Sequence, residues 1–262
     1  MSDIVRYEHT DGVAVITLNR PDAMNAFTSQ LSFDLLHALE NAHHDDSVRV
    51  VLLTGEGRCF SAGADLKAGL EGRGVYGKLQ YEYRPVMTAV ASMPKPVIAA
   101  VPGSAAGIGL SLALTCDLLI MADDAFLLSP FTTISLVPDG GLNWLLVRQL
   151  GYHRAFQLSI ESERIDAARC VQLGLANRAV PADELQTAAR DWAVALVKRA
   201  PLSLAATKKV MRLAMDHDWE TCFNAEAELQ QSLVGCPDNL EGVKAFFEKR
   251  APEFKGKQDQ PQ

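Results

Sequence analysis

Two apolar stretches open the chain. IVRYEH (4–9) and GVAVITL (12–18) alternate or run apolar with a TDG signal between them, which predicts a β-hairpin. From Thr28 to His44, residues Leu31, Leu35, Leu36, Leu39 and Ala42 fall on one stripe of helical period, predicting an amphipathic helix. VRVVLLTG (48–55), PVIAAV (96–101) and LLIMA (118–122) are short continuous apolar runs, the pattern of strands covered on both faces. Between the last two, GSAAGIGLSLALTCD (103–117) begins small and glycine-rich and then becomes helical in pattern. Strand, helix and strand alternate, so the predicted fold class is α/β with mostly parallel strands.

From about Asp183 the pattern is almost wholly helical, with Pro201 suited to a helix start and Pro237 to a break between helices. GLEGRGVYGKLQ (69–80) has four glycines and little periodicity, and is predicted as a mobile loop near the site. The closing KGKQDQPQ is predicted to be disordered. The sequence contains no internal repeat or Walker pattern.

Composition narrows the class. With 262 residues, 48% of them hydrophobic, the chain can bury a substantial core. A net charge of −7 offers no basic footprint for nucleic acid. No apolar run reaches the roughly 18 residues of a membrane span. The first residues lack the pattern of a secretory signal. Five scattered cysteines without a C-x-x-C pair are expected to be reduced thiols in a cytoplasmic protein. His43-His44 followed by two aspartates reads as a solvated helix end rather than a metal site, because adjacent helical residues point apart.

Three stretches carry candidate chemistry. CFSAGADL (59–66) and PGSAAGIGL (102–110) each place small residues where a strand ends, and the second leads into a helix. Small residues admit a ligand to the backbone, and a helix start offers unsatisfied N–H groups. Two such groups converging on one oxygen form an oxyanion hole. Tight strand–helix packing wants the same residues, so both readings stand. In LSPFTTISLVPDGG (128–141), Asp139 is the single ionisable group, and Pro-Asp-Gly is also a turn signature. A turn and a carboxylate beside an apolar pocket are compatible readings.

NRPDAMNAF (19–27), CFSAGADL, the run from PKPVIAAV to FLLSP (94–130) and AFFEKRAPEFKG (245–256) resemble the enoyl-CoA hydratase/isomerase, or crotonase, family. The resemblance covers nearly the whole chain. It implies an acyl-CoA-binding core of repeated ββα units over 1–197 and a C-terminal helical oligomerisation region over 198–262. The implied assembly is a trimer or a dimer of trimers. The implied substrate is an acyl-CoA thioester, with coenzyme A as part of the substrate and no separate cofactor or metal. The oxyanion donors implied are the backbone N–H groups of Ala62 and Ile108, the latter standing where the family usually has glycine. Ala62, Gly63, Ala64, Asp65 and Lys67 match the CoA channel, with Ala23 and Met24 across from them. Phe131 matches the acyl site. Phe247 and Lys255 match positions near the nucleotide end, including that of an adjacent subunit.

The family's hydratases use two glutamates to hold and deliver water. The corresponding positions here are Ser111 and Phe131, and neither side chain is a base near neutral pH. Asp139, eight residues beyond Phe131, resembles the aspartate of the family's isomerases. The expectation is therefore an enoyl-CoA isomerase that works through a dienolate, with Asp139 as proton shuttle and Phe131 and Leu136 excluding water. Hydration of a 2-enoyl-CoA and non-catalytic acyl-CoA binding are the alternatives. Asp65 reads as a loop brace and Asp117 as the support of a neighbouring loop. Ser111 either packs or orients a substrate. Glu71 and Tyr76 sit on the 69–80 segment as candidates to reach the acyl group, with no spacing argument for either. Trp144 and Trp219 read as core or interface residues.

Overall fold

A computed structural model of the chain describes residues 3–69 and 74–256. β1 (Val5–Thr10) and β2 (Val13–Leu18) form the predicted hairpin. Its turn residues Asp11 and Gly12 both have positive φ, 55° and 79°, as the tightest antiparallel turn requires. α1 (Ser29–His44) is capped by the Thr28 side chain, which accepts the Leu31 N–H. Leu31, Leu35, Leu39 and Ala42 are buried along it, Leu36 is half-buried, and His43 and His44 are exposed at its end.

Three strand pairs follow: β3 (Val50–Gly55) with β4 (Cys59–Ser61), β5 (Val97–Val101) with β6 (Ser104–Ala106), and β7 (Leu118–Ala122) with β8 (Phe126–Leu128). The first strand of each pair joins a six-stranded sheet and the second joins a smaller one. β9 (Ile165–Asp166) and β10 (Arg178–Val180) complete them, giving orders β1-β2-β3-β5-β7-β10 and β4-β6-β8-β9. All neighbours are parallel except β1/β2 and β8/β9. The ββα repeat is thus present in space although no sequence repeat announces it. The second strands are only three residues long, too short to show a period.

Residues 74–80, predicted as loop, are helical. α2 (Gly74–Lys78) runs through a π-helical turn (Leu79–Tyr83) into α3 (Arg84–Ser92). The π turn breaks the 3.6-residue register, which blurs the period in the sequence. The Glu71 candidate and residues 257–262 lie outside the described residues. α4 (Ile108–Thr115) is buried all round. α5 (Leu142–Leu150), α6 (Tyr152–Glu161) and α7 (Ala167–Leu173) were not legible as helices. Each spans ten residues or fewer, and Gly151 at φ 76° cuts the first from the second.

α8 (Leu185–Val197) packs on β3 and β5, and is followed by α9 (Pro201–Ala214), α10 (Trp219–Leu233) and α11 (Pro237–Glu248). Pro201 and Pro237 both stand at the first helical turn. Asp117 holds a helix here rather than a loop, pairing with Lys208 at 2.7 Å and Arg212 at 2.9 Å on α9. The same carboxylate accepts the Val97 N–H, so the start of β5, the end of α4 and α9 meet at one group. All five cysteines are free. No helix among the described residues is long and apolar enough to cross a membrane.

Candidate active site

β4 and β6 lie side by side, and so do the loops that leave them. Gly63 has φ 102° and Gly107 has φ 55° with ψ −128°, conformations that residues with a Cβ rarely adopt. A Cβ on Gly63 would sit 3.1 Å from the Ala106 carbonyl oxygen, and one on Gly107 would sit 3.5 Å from Gly63 Cα. The two loops therefore meet backbone to backbone, and glycine permits it.

The hydrogen bonds decide which amides are available. The Ala62 N–H donates to the Met24 carbonyl at 2.9 Å, so it is occupied within the chain and is not the free donor expected from the sequence. Gly63 N–H donates to Ser61 Oγ at 3.2 Å, and Gly107 N–H to Leu128 O at 3.2 Å. Phe27 pairs with Ala64 as parallel neighbours, using the Gly63 carbonyl (2.7 Å) and the Asp65 N–H (2.9 Å). In parallel pairing the bridged residue's own N–H turns to the opposite side. Ala64's amide thus points away from Phe27, and the residue is exposed. Ile108 is the first residue of α4, where an N–H has no intrahelical acceptor. Ala64 and Ile108 each follow one of the abutting glycines, which brings two uncommitted donors into one neighbourhood.

The 19–27 segment braces the first loop. Asn25, fully buried at φ 54°, donates to the Glu56 and Cys59 carbonyls and accepts the Arg20 N–H. Ser61 Oγ donates to the Asn25 carbonyl at 2.9 Å. Asp65 accepts from Arg20 at 3.0 Å and from the N–H groups of Lys67 and Ala68. The Arg20 hydrogen bond holds its carboxyl below the usual carboxylate range, as befits a brace and not a base. Ala23 is half-buried and Met24 exposed on this segment, and Lys67 is exposed beyond the loop. Arg20, Asn25 and Ser61 were missed as site-building residues. Their signal was present in NRPDAMNAF and CFS, but braces look like ordinary loop polarity until their partners are known.

Asp139 lies in the turn between Pro138 and Gly141. Gly140, at φ 64°, presses against Ile108 Cδ1 and would bring a Cβ within 2.9 Å of Ser111 Cβ. Turn and carboxylate coexist, and the turn sets the acid beside the first turn of α4. Asp139 Oδ1 is buried with no hydrogen-bond partner among the described residues, and burial pushes the carboxyl up from 3.8 to about 6. The Ile108 side chain faces this turn. Phe131 is buried with its ring end near Gly107. Leu136 is 52% exposed and does not seal the site as expected. Tyr76 is also exposed.

Two expected residues are not brought together with these loops. Phe247 is exposed on α11 with its ring contact to Phe246, and the Lys255 N–H donates to Asp238 at 2.7 Å. Trp219 is 76% exposed and stacks on Phe223, so it is not a core residue; Trp144 donates to Asp216 at 3.1 Å.

Two amide donors and one carboxylate of raised pKa can hold a developing oxyanion and move a proton. Comparison with known proteins meets this arrangement from the other side. Residues 8–257 match the enoyl-CoA hydratase/isomerase family. The chain is 40% identical to a probable enoyl-CoA hydratase of Rhodobacter capsulatus, over 97% of this chain and 98% of that one. It is 35% identical to the 1,2-epoxyphenylacetyl-CoA isomerase of Escherichia coli, over 94% and 96%. The crystal structure of enoyl-CoA hydratase from Bacillus anthracis superposes with a TM-score of 0.93 at 33% identity, covering 97% of this chain and all of that one. With its paired glycine loops, its strand pairs shared between two sheets and a match along nearly its whole length, the chain belongs to the enoyl-CoA hydratase/isomerase (crotonase) family.

Proposed function

We propose that this acyl-CoA enzyme moves a double bond along the acyl group through a thioester dienolate, with Asp139 as the single proton carrier. The observation that carries this reading is the Asp139 carboxylate itself. It is buried, unpartnered at Oδ1 among the described residues and raised toward working pH, while Ser111 and Phe131 put no carboxylate at the two positions where the family's hydratases carry glutamates. The thioester oxygen accepts from the Ala64 and Ile108 amides. Asp139 takes a proton from carbon, the charge moves to that oxygen, and the protonated acid returns the proton to another carbon. No oxygen from water enters the product. Resemblance to the Escherichia coli isomerase supports the reading, and resemblance to hydratases keeps water addition as the alternative.

The exposed side chains of Trp219, Phe223, Phe246 and Phe247 support contact of α10 and α11 with neighbouring copies in a trimer or hexamer. In that assembly Phe247 and Lys255 would serve the nucleotide end of CoA bound by an adjacent subunit.

Incubation of 2-enoyl- and 3-enoyl-CoA in deuterated, ¹⁸O-enriched water tests the proposal. Carbon-bound deuterium without ¹⁸O is expected; ¹⁸O in a hydroxyacyl product would assign the chain to hydration. The pH profile is a second check. A base with a pKa of about 6 accepts a proton only when ionised, so kcat/KM should fall about tenfold per unit below pH 6. A flat profile from pH 4.5 to 8 would remove Asp139 from the role.

A further inference from the structure

We infer that Ser111 is a positioning residue, whose hydroxyl ties the main chain of Asp139 to the same helical turn that supplies the Ile108 amide. The inference rests on the proposed role of Asp139. Ser111 is fully buried, and its Oγ lies 2.9 Å from the Asp139 carbonyl oxygen and 3.3 Å from that of Gly107. A hydroxyl has one proton to give, and the shorter contact has the better length. Among the described residues the Asp139 carbonyl otherwise accepts only the Leu142 N–H, at 3.1 Å, which is a bond inside its own turn. The Asn143 side chain fastens Pro138 at 2.6 Å, again from within the segment. Ser111 is therefore the hydrogen bond that joins this turn to α4.

Shape reinforces the bond. Gly140 packs against Ser111 Cβ and Ile108 Cδ1 with no room for a Cβ of its own. Ile108 and Ser111 are three residues apart, one above the other on the helix. The oxyanion donor and the anchor of the base thus belong to one rigid turn, which fixes their separation without relying on a loop. A base held this way keeps its distance from the thioester while protons move, and small misplacements of such groups are costly in rate.

The test compares Ser111→Ala, Ser111→Cys and Asp139→Asn, alone and combined, in the full-length protein. Readouts are kcat, KM and solvent-deuterium exchange on 3-enoyl-CoA. Ser111→Ala is expected to lower kcat about 10- to 30-fold with KM within twofold, and Ser111→Cys, a weaker donor of similar size, to fall between. In the Asp139→Asn background, Ser111→Ala should change residual exchange by less than twofold, since it acts through the missing carboxylate. Wild-type kcat in Ser111→Ala, or an equal loss in both backgrounds, would overturn the inference. Exchange in Asp139→Asn above about one hundredth of the wild-type rate would instead count against the proposed function.

Discussion

Asp139→Asn should abolish turnover to within about one part in a thousand and, at pH 7, make the protein more stable. The first half follows from general acid–base catalysis, where a positioned proton carrier contributes about 10²–10⁴. An amide cannot take a proton from carbon, while the oxyanion donors are untouched, so thioester affinity should stay within a few fold. The second half follows from burial. A carboxyl whose pKa stands at about 6 in the folded chain, against an ordinary 3.8, binds its proton more tightly folded than unfolded. Its contribution to stability is therefore full at low pH and falls as pH rises through that window, by up to about 3 kcal/mol. Asparagine carries no charge to bury, but its amide still lacks partners, so a gain of about 1–2 kcal/mol is expected. Thermal melts at pH 7 and pH 4 check this. The variant should melt a few degrees higher at pH 7, and most of the difference should be gone at pH 4. Equal melting at both values would mean that the native carboxylate is not desolvated.

The second large effect is expected from Gly107→Ala, with kcat/KM reduced about 10²-fold. Space is not the obstacle, because the added Cβ would make ordinary contacts at 3.5 Å with Gly63 Cα and 3.8 Å with Phe131 Cζ. The obstacle is the backbone, since φ 55° with ψ −128° belongs to glycine. Relief of that strain rotates the following peptide, which carries the Ile108 N–H. Loss of one preorganised oxyanion donor elsewhere costs about 2.7–4 kcal/mol of barrier. The loss should appear in kcat with thioester binding much less affected. Gly107→Ala with unchanged kcat would show that the Ile108 amide bears no charge in the transition state.

How far the sequence reached is clearest at Gly63. The loop and its small residues were legible, but which of its amides stays uncommitted was not, and the donor expected from the sequence was Ala62, whose N–H is taken by Met24. Ala62 and Ala64 flank the same glycine, and amides alternate in direction along extended chain. Parity is fixed only by what the loop pairs with, here Met24 and Phe27, some forty residues earlier. The same limit hid β4, β6 and β8, whose three residues pair with one another across long stretches of chain. Long apolar runs such as 50–55 and the stripe on α1 needed no partner to be read. Asp139 was legible because a lone charge in an apolar run stands out. Ser111 was not, because a hydroxyl's meaning lies in what it touches.

A grip made of main chain has a consequence for inheritance. Every codon specifies a peptide amide, proline's excepted, so substitution rarely erases such a donor, whereas acids and hydroxyls come and go one base change at a time. Descendants of one ancestor could then keep the thioester and exchange the reaction, in line with relatives that each share about a third of their residues with this chain and are named, one an isomerase, the other a hydratase.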